Sequence, residues 1–296
     1  MRADHHAHSS NNVLSDEELY WRARKDTTAA YQHIVEEKYL PTLLNELLDP
    51  YTGYKPDIDP SIDSFFSTNS FRYGHSGISG MVRLVDCHLR PLPEDPLLLR
   101  EVHFRPEKYL VSDTILASVL RGLATEPSKG IDISFVDDVA FFTGQMAVKN
   151  VQRGRDEGLP SYNDAREWFG LERQSFSALS FGNKFVEKAL NGLYNSVDDI
   201  DAHVGTLLDP NRDLGRISIK EQFTRLRDGD RFWYKARLND TEIAALPSLT
   251  EMIKMAFDEE DMAYFPKDSF VVMDEATIAE GNQGLSSDTN SMSLLE

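Results

Sequence analysis

The sequence predicts a mainly α-helical domain. Apolar residues recur at three- and four-residue spacing through most of the chain. Clusters of Pro, Gly and Asp cut it into segments of helix length. No stretch alternates apolar and polar residues for more than a few positions, so no substantial strand is expected. No repeat of about 20–50 residues is present, which excludes a solenoid.

The elements follow in order. Residues 1–14 are polar and rich in His and Asn and are expected to be a disordered N-terminal segment. Ser15 with Glu18 three residues later forms a capping box. It predicts a helix over Asp16–Lys38, with Leu19, Ala23, Ala30, Ile34 and Leu40 among its inner positions and Pro41 near its end. Residues 49–60, DPYTGYKPDIDP, are a loop. A second helix is expected from Ile62 to Leu84, because Phe71, His75, Ile78 and Val82 are spaced 4, 3 and 4 apart and would share one face. PLPEDP at 91–96 breaks the chain again. Helices are then expected at 107–123 and at Val136–Met146, followed by a turn at Gly158–Ser161. Further helices are expected at Tyr162–Phe169, 183–193, 197–208 and Ile217–Leu226. From about Ala276 the composition becomes small and polar. The expected organisation is one domain over 15–275 and a disordered tail over 276–296.

Composition narrows the function. The chain has 296 residues and a net charge of −18, which argues against nucleic acid and anionic membrane surfaces as partners. No apolar run approaches the ~18 residues of a membrane-spanning helix, and no signal-peptide pattern is present in the first 20 residues. The single cysteine, Cys87, rules out an intrachain disulfide framework and reads as a buried thiol. His5, His6 and His8 form an HHxH cluster without the spacing of a metal site.

His75 lies in the string FRYGH, inside the apolar repeat. Read from the residues alone, it is either a satisfied core histidine or the axial ligand of an iron, which a neutral imidazole on a packed helix suits. Residues 150–164, NVQRGRDEGLPSYND, carry Arg153 and Arg155 close together. They suit anion binding through charge-assisted hydrogen bonds, or a solvated loop.

Taken together, FRYGH, NVQRGRDEGLPSYNDARE and LRDGDRFWY at 226–234 resemble the animal haem peroxidase family, which includes myeloperoxidase, peroxidasin and the dual oxidases. LLLREVHFRP at 97–106, LRGLATEP at 120–127 and SVDDID at 196–201 add to the match. The resemblance covers about Ser15 to Val272 and implies the C-terminal portion of that family's all-helical fold. It implies that His75 is the proximal ligand of a haem b iron and that Asn150 accepts a hydrogen bond from its imidazole. It implies that Arg72 and Arg153 lie near the haem propionates, whereas Asp230 and Trp233 are read as structural. The implied partners are hydrogen peroxide and a small donor or halide, and the implied setting is extracellular or luminal.

In the family, the distal histidine and arginine that cleave peroxide lie upstream of everything matched here, as do the calcium ligands. The chain is therefore expected to carry the proximal half-site, no catalytic residue and no calcium ligand, as a fragment of a peroxidase. It departs from the family at Glu157, where histidine is usual, and at Lys149, which is expected to set an amine beside the proximal pocket. The alternative reading is a catalytically inactive scaffold or interaction domain that keeps the peroxidase fold.

Overall fold

In a computed structural model the described residues are 14–257, 262, 264–273 and 278–279. The expected disordered N-terminal segment and the HHxH histidines lie outside the described residues, apart from Leu14, as does the expected tail, apart from Ile278 and Ala279.

The described chain is a helical assembly with one short antiparallel pair. Helix α1 (Asp16–Ile34) starts on the expected capping box: Ser15 Oγ accepts from the Glu18 amide and Glu18 Oε2 from the Ser15 amide. It continues through a π-turn, Val35–Tyr39, into α2 (Leu40–Leu44); Pro41 follows the π-turn directly and has no N–H to give to the carbonyls of the preceding turn. Ala30, Ile34 and Leu40 are buried as expected, but Leu19 and Ala23 are exposed. Only the second half of α1 packs on the core, where Ala29 meets Trp233 and Tyr234.

The single helix expected over Ile62–Leu84 is instead three short pieces. They are α3 (Ser64–Thr68), a 3₁₀ turn over Ser70–Tyr73 and α4 (Gly74–Gly77). The chain then becomes extended at Ile78 and forms strand β1 (Met81–Val82), which pairs with β2 (Leu97–Leu98). The local composition explains the break: Asn69, Gly74, Ser76, Gly77, Ser79 and Gly80 are weak helix formers, and apolar spacing alone does not offset them. Phe71 and Ile78 are exposed, so the expected shared face does not form.

Helices α5 (Leu99–Phe104) and α6 (Pro106–Tyr109) lead into α7 (Asp113–Thr125), capped by Ser112. Between 136 and 146 the chain makes one π-turn, Asp138–Phe142, and then breaks at Gly144, whose φ of +109° is open to glycine and strained for other residues. Helix α8 (Met146–Asp156) follows, so the arginine-rich run begins as helix rather than loop. Helices α9 (Tyr162–Trp168), α10 (Phe176–Leu179) and α11 (Lys184–Leu193) come next. The segment 197–208 divides into a 3₁₀ turn and α12 (Ala202–Leu208). Helix α13 (Asp213–Asp228) is longer than expected, and α14 (Tyr234–Arg237), α15 (Asp240–Ala244) and α16 (Leu249–Lys254) complete the regular elements.

The core that positions the site lies between α3, α9, α12 and α13, where Phe65, Tyr162, Ala165, Ala202 and Leu214 pack together. Tyr162 is fully buried beneath Gly205, and a Cβ at Gly205 would run into the Tyr162 ring, so glycine lets α12 settle onto α9. Arg166 of α9 and Asp209, just past α12, form a buried ion pair at 2.8 Å that fixes the end of α12. A second cluster joins Val85, Leu89 and Ala117 to Met262, Phe265 and Met273, with Ile278 packed against it.

Candidate functional site

Three short elements converge on Asn150. It sits in α8 with no exposed surface. His75 comes from α4, Arg72 from the preceding 3₁₀ turn, and His203 from α12. His75 Nδ1 stands 3.1 Å from the Asn150 oxygen and 3.0 Å from its amide nitrogen. That near-symmetry leaves the direction of the bond to the neighbours. Arg72 Nη1 lies 3.5 Å from the atom assigned as Oδ1, and a guanidinium can only donate, so that atom suits an oxygen. With the oxygen there, His75 Nδ1–H donates to it, and Nε2 keeps its lone pair. Nε2 has no hydrogen-bond partner among the described residues.

Burial lowers the His75 pKa, the Asn150 hydrogen bond opposes this, and the Arg72 charge lowers it further; the net shift is downward. The ring is thus favoured as neutral imidazole, the form that ligates metals.

His203 was not singled out from the sequence. Its Nε2 is 3.1 Å from Asn150 Nδ2, on the side of the amide away from Arg72. It is only 5% exposed. Burial first, and then the His75 and Arg72 charges, push its pKa down to about 4. A signal was available: His203 interrupts the apolar run of α12, as His75 does its own repeat.

The arginines divide. Arg72 reaches the pocket, with Nε donating to the Ser67 carbonyl. Arg153 follows Asn150 by three positions and so shares its side of α8; it is exposed and pairs loosely with Glu157 at 3.8 Å. Arg155 does not join Arg153 in an anion site. It grips Asp201 with two bonds of 2.8 and 2.7 Å, and Tyr194 donates to the same carboxylate. Burial of Asp201 works against ionisation, but Arg155 and Tyr194 outweigh it and hold that carboxylate below its usual range. Lys149 is exposed, and its ammonium lies against Gly144.

The LRDGDRFWY segment belongs to a different structure. Tyr234 donates to Glu36 at 2.8 Å, Lys235 bridges Glu36 and Glu37, and Arg227 pairs with Asp228. Trp233 is buried against Ala29, and Asp230 accepts from the Phe232 amide in a turn. Tyr234 and Lys235 bind α14 to the π-turn after α1, Trp233 packs on α1, and Arg227 reaches Glu36 from the end of α13 at 3.5 Å. Cys87 is half-buried.

The donor set fits haem. A haem iron takes its equatorial ligands from the porphyrin and needs one axial nitrogen whose ring is oriented from behind. His75 Nε2, backed by Asn150, meets that description, and Arg72 supplies a cation beside it. Among the described residues no group of three or more His, Cys, Asp or Glu side chains could hold a metal ion by itself.

The sequence model of animal haem peroxidases matches residues 5–262. The chain is 34% identical to the Drosophila melanogaster dual oxidase over 260 residues, which are 80% of this chain and 17% of that protein. It is 33% identical to the Sus scrofa thyroid peroxidase over 288 residues, 88% of this chain and 31% of that one. Among solved structures it resembles peroxidase A from Dictyostelium discoideum, with a TM-score of 0.78 and 27% identity, covering 88% of this chain and 52% of that one. The chain therefore spans about half of that solved peroxidase and less than a third of the two curated relatives. It belongs to the animal haem peroxidase family.

Proposed function

We propose that this chain provides the proximal side of a haem b site in a peroxidase that reduces hydrogen peroxide and oxidises a small donor or halide. The observation that carries the reading is the His75–Asn150 pair: one ring nitrogen engaged at 3.1 Å, the other left with a lone pair. When bound, haem supplies the redox-active iron. His75 would hold that iron through Nε2. Asn150 would accept from Nδ1–H, and a neutral amide acceptor leaves the imidazole less anionic than a carboxylate would, which favours an oxidising iron. Arg72 and Arg153 would bind the propionates by charge-assisted hydrogen bonds.

Family membership supports residues 15–275 as the peroxidase domain and an extracellular or luminal setting for the whole protein. No helix among the described residues is long and apolar enough to cross a membrane.

Reconstitution with hemin tests the reading. The expected result is a Soret band of a protein-ligated haem that is lost in His75→Ala, together with peroxide-dependent oxidation of a small donor by the complete peroxidase. Identical spectra for the two chains would overturn the haem assignment. A complete peroxidase that binds haem through His75 but does not turn over peroxide would favour the non-catalytic scaffold.

A further inference from the structure

We propose that His203 is a positioning residue for the haem site: it accepts from the Asn150 amide and so fixes which nitrogen of His75 is free for iron. The inference rests on the assignment of His75 as the axial ligand.

Asn150 can present its amide in two orientations, and the 3.1 and 3.0 Å distances to His75 Nδ1 do not separate them. In the first, the oxygen faces His75 and the NH₂ group donates to His203 Nε2. His75 must then carry its proton on Nδ1, and Nε2 is available. In the second, the NH₂ group faces His75 and the oxygen faces His203. His75 Nδ1 must then accept, its proton sits on Nε2, and the ring cannot ligate. Arg72 favours the first orientation, but from 3.5 Å. His203, at 3.1 Å, is the closer and better-buried determinant, and it acts only when its Nε2 is bare.

The surroundings favour a bare Nε2. The pocket disfavours a charged imidazole, so one nitrogen carries a proton and the other does not. His203 Nδ1 is buried without a hydrogen-bond partner among the described residues, whereas Nε2 faces the Asn150 amide at 3.1 Å. With the Asn150 NH₂ group opposite Nε2, the proton belongs on Nδ1, and Nε2 is left to accept. Asn69 is held in place: its Nδ2 donates to Thr206 Oγ1 at 3.1 Å, and Thr206 lies one turn after His203 on α12. Asn69 is also the residue at which α3 ends before the turn that carries Arg72 and leads to His75. One residue thus ends α3 and, through Thr206, ties that break to the helix that carries His203.

The test is the side-chain nitrogen chemical shifts of the full chain labelled with ¹⁵N-histidine, read by long-range proton–nitrogen correlation. The wild type is compared with His203→Phe, which keeps a ring but no acceptor, and His203→Gln, which retains an acceptor oxygen. The wild type should show His75 protonated on Nδ1 and His203 with a bare Nε2. His203→Phe should shift His75 toward a mixture of tautomers and weaken hemin binding about 10- to 100-fold. His203→Gln should restore both.

An unchanged His75 tautomer in His203→Phe would overturn the proposal, as would equal losses in both variants. If His203→Phe does not fold, the wild type decides: a proton on His203 Nε2 contradicts the proposal, and a bare Nε2 supports it. Failure of the haem assignment is distinguishable. In that case His75→Ala leaves the hemin spectrum unchanged, while the dependence of the His75 tautomer on residue 203 is still read directly.

Discussion

His75 Nδ1 and the side-chain oxygen of Asn150 lie 3.1 Å apart, joining two residues separated by 75 positions in the chain. The acceptor is neutral, and its identity sets the character of the imidazole. Asn150→Asp would place a carboxylate in the same position, beside Arg72. The imidazole of the haem-loaded variant would gain anionic character, and the haem reduction potential would fall. Redox titration of the two reconstituted proteins checks this; an unchanged or higher potential in Asn150→Asp would contradict it.

His203 makes stability depend on pH in a defined window. Its folded pKa is about 4, against 6.5 for the free group. As pH falls through 6.5, the unfolded chain takes up this proton and the folded chain does not, so the native state loses stability progressively down to about pH 4. The full loss is about 3 kcal/mol by linkage. His203→Gln has no such group. Urea denaturation at pH 7 and pH 4.5 should therefore destabilise the wild type more than the variant. Parallel losses in the two proteins would show that His203 is not the titrating group.

The Arg166–Asp209 pair is buried on both sides and secures the end of α12. Arg166 also donates to the Tyr162 hydroxyl and the Glu172 carbonyl, so it is committed to its position. Asp209→Ala would leave a buried guanidinium without its counter-charge, at a cost of about 3–5 kcal/mol. The midpoint of urea unfolding measures it. A change below about 1 kcal/mol would mean that the pair is solvated in solution.

The helical fold was legible from apolar spacing and caps, and Ser15 with Glu18 starts α1 as the sequence predicts. The failure over 62–84 has a physical origin. The spacing of Phe71, His75, Ile78 and Val82 describes a helix face, but Ser, Asn and Gly at the intervening positions favour turns, and the structure follows them. The proximity of His75 to Asn150 was expected from the family resemblance, not from any local rule, because the contact crosses the fold. His203 was missed because it has no local signature beyond a histidine in an apolar run. The role of Arg155 stayed open in the sequence because its partner, Asp201, is brought up by the tertiary structure.

Gly205 is a packing position that the sequence did not reveal. Its α-carbon faces the Tyr162 ring so closely that any side chain must displace one helix. Gly205→Ala should destabilise the chain by about 1–3 kcal/mol through overpacking, and it should weaken hemin binding by moving His203. Thermal melts and a hemin titration of the same variant check both effects. Wild-type values in the two measurements would refute the close approach of α12 to α9.

The central claim is that His75 Nε2 is the iron ligand. Resonance Raman spectroscopy of the ferrous, hemin-reconstituted protein tests it most directly. A low-frequency iron–histidine stretching band is expected that shifts on ¹⁵N-histidine labelling, vanishes in His75→Gly and returns when free imidazole is added to that variant. A band that persists unchanged in His75→Gly would contradict the account.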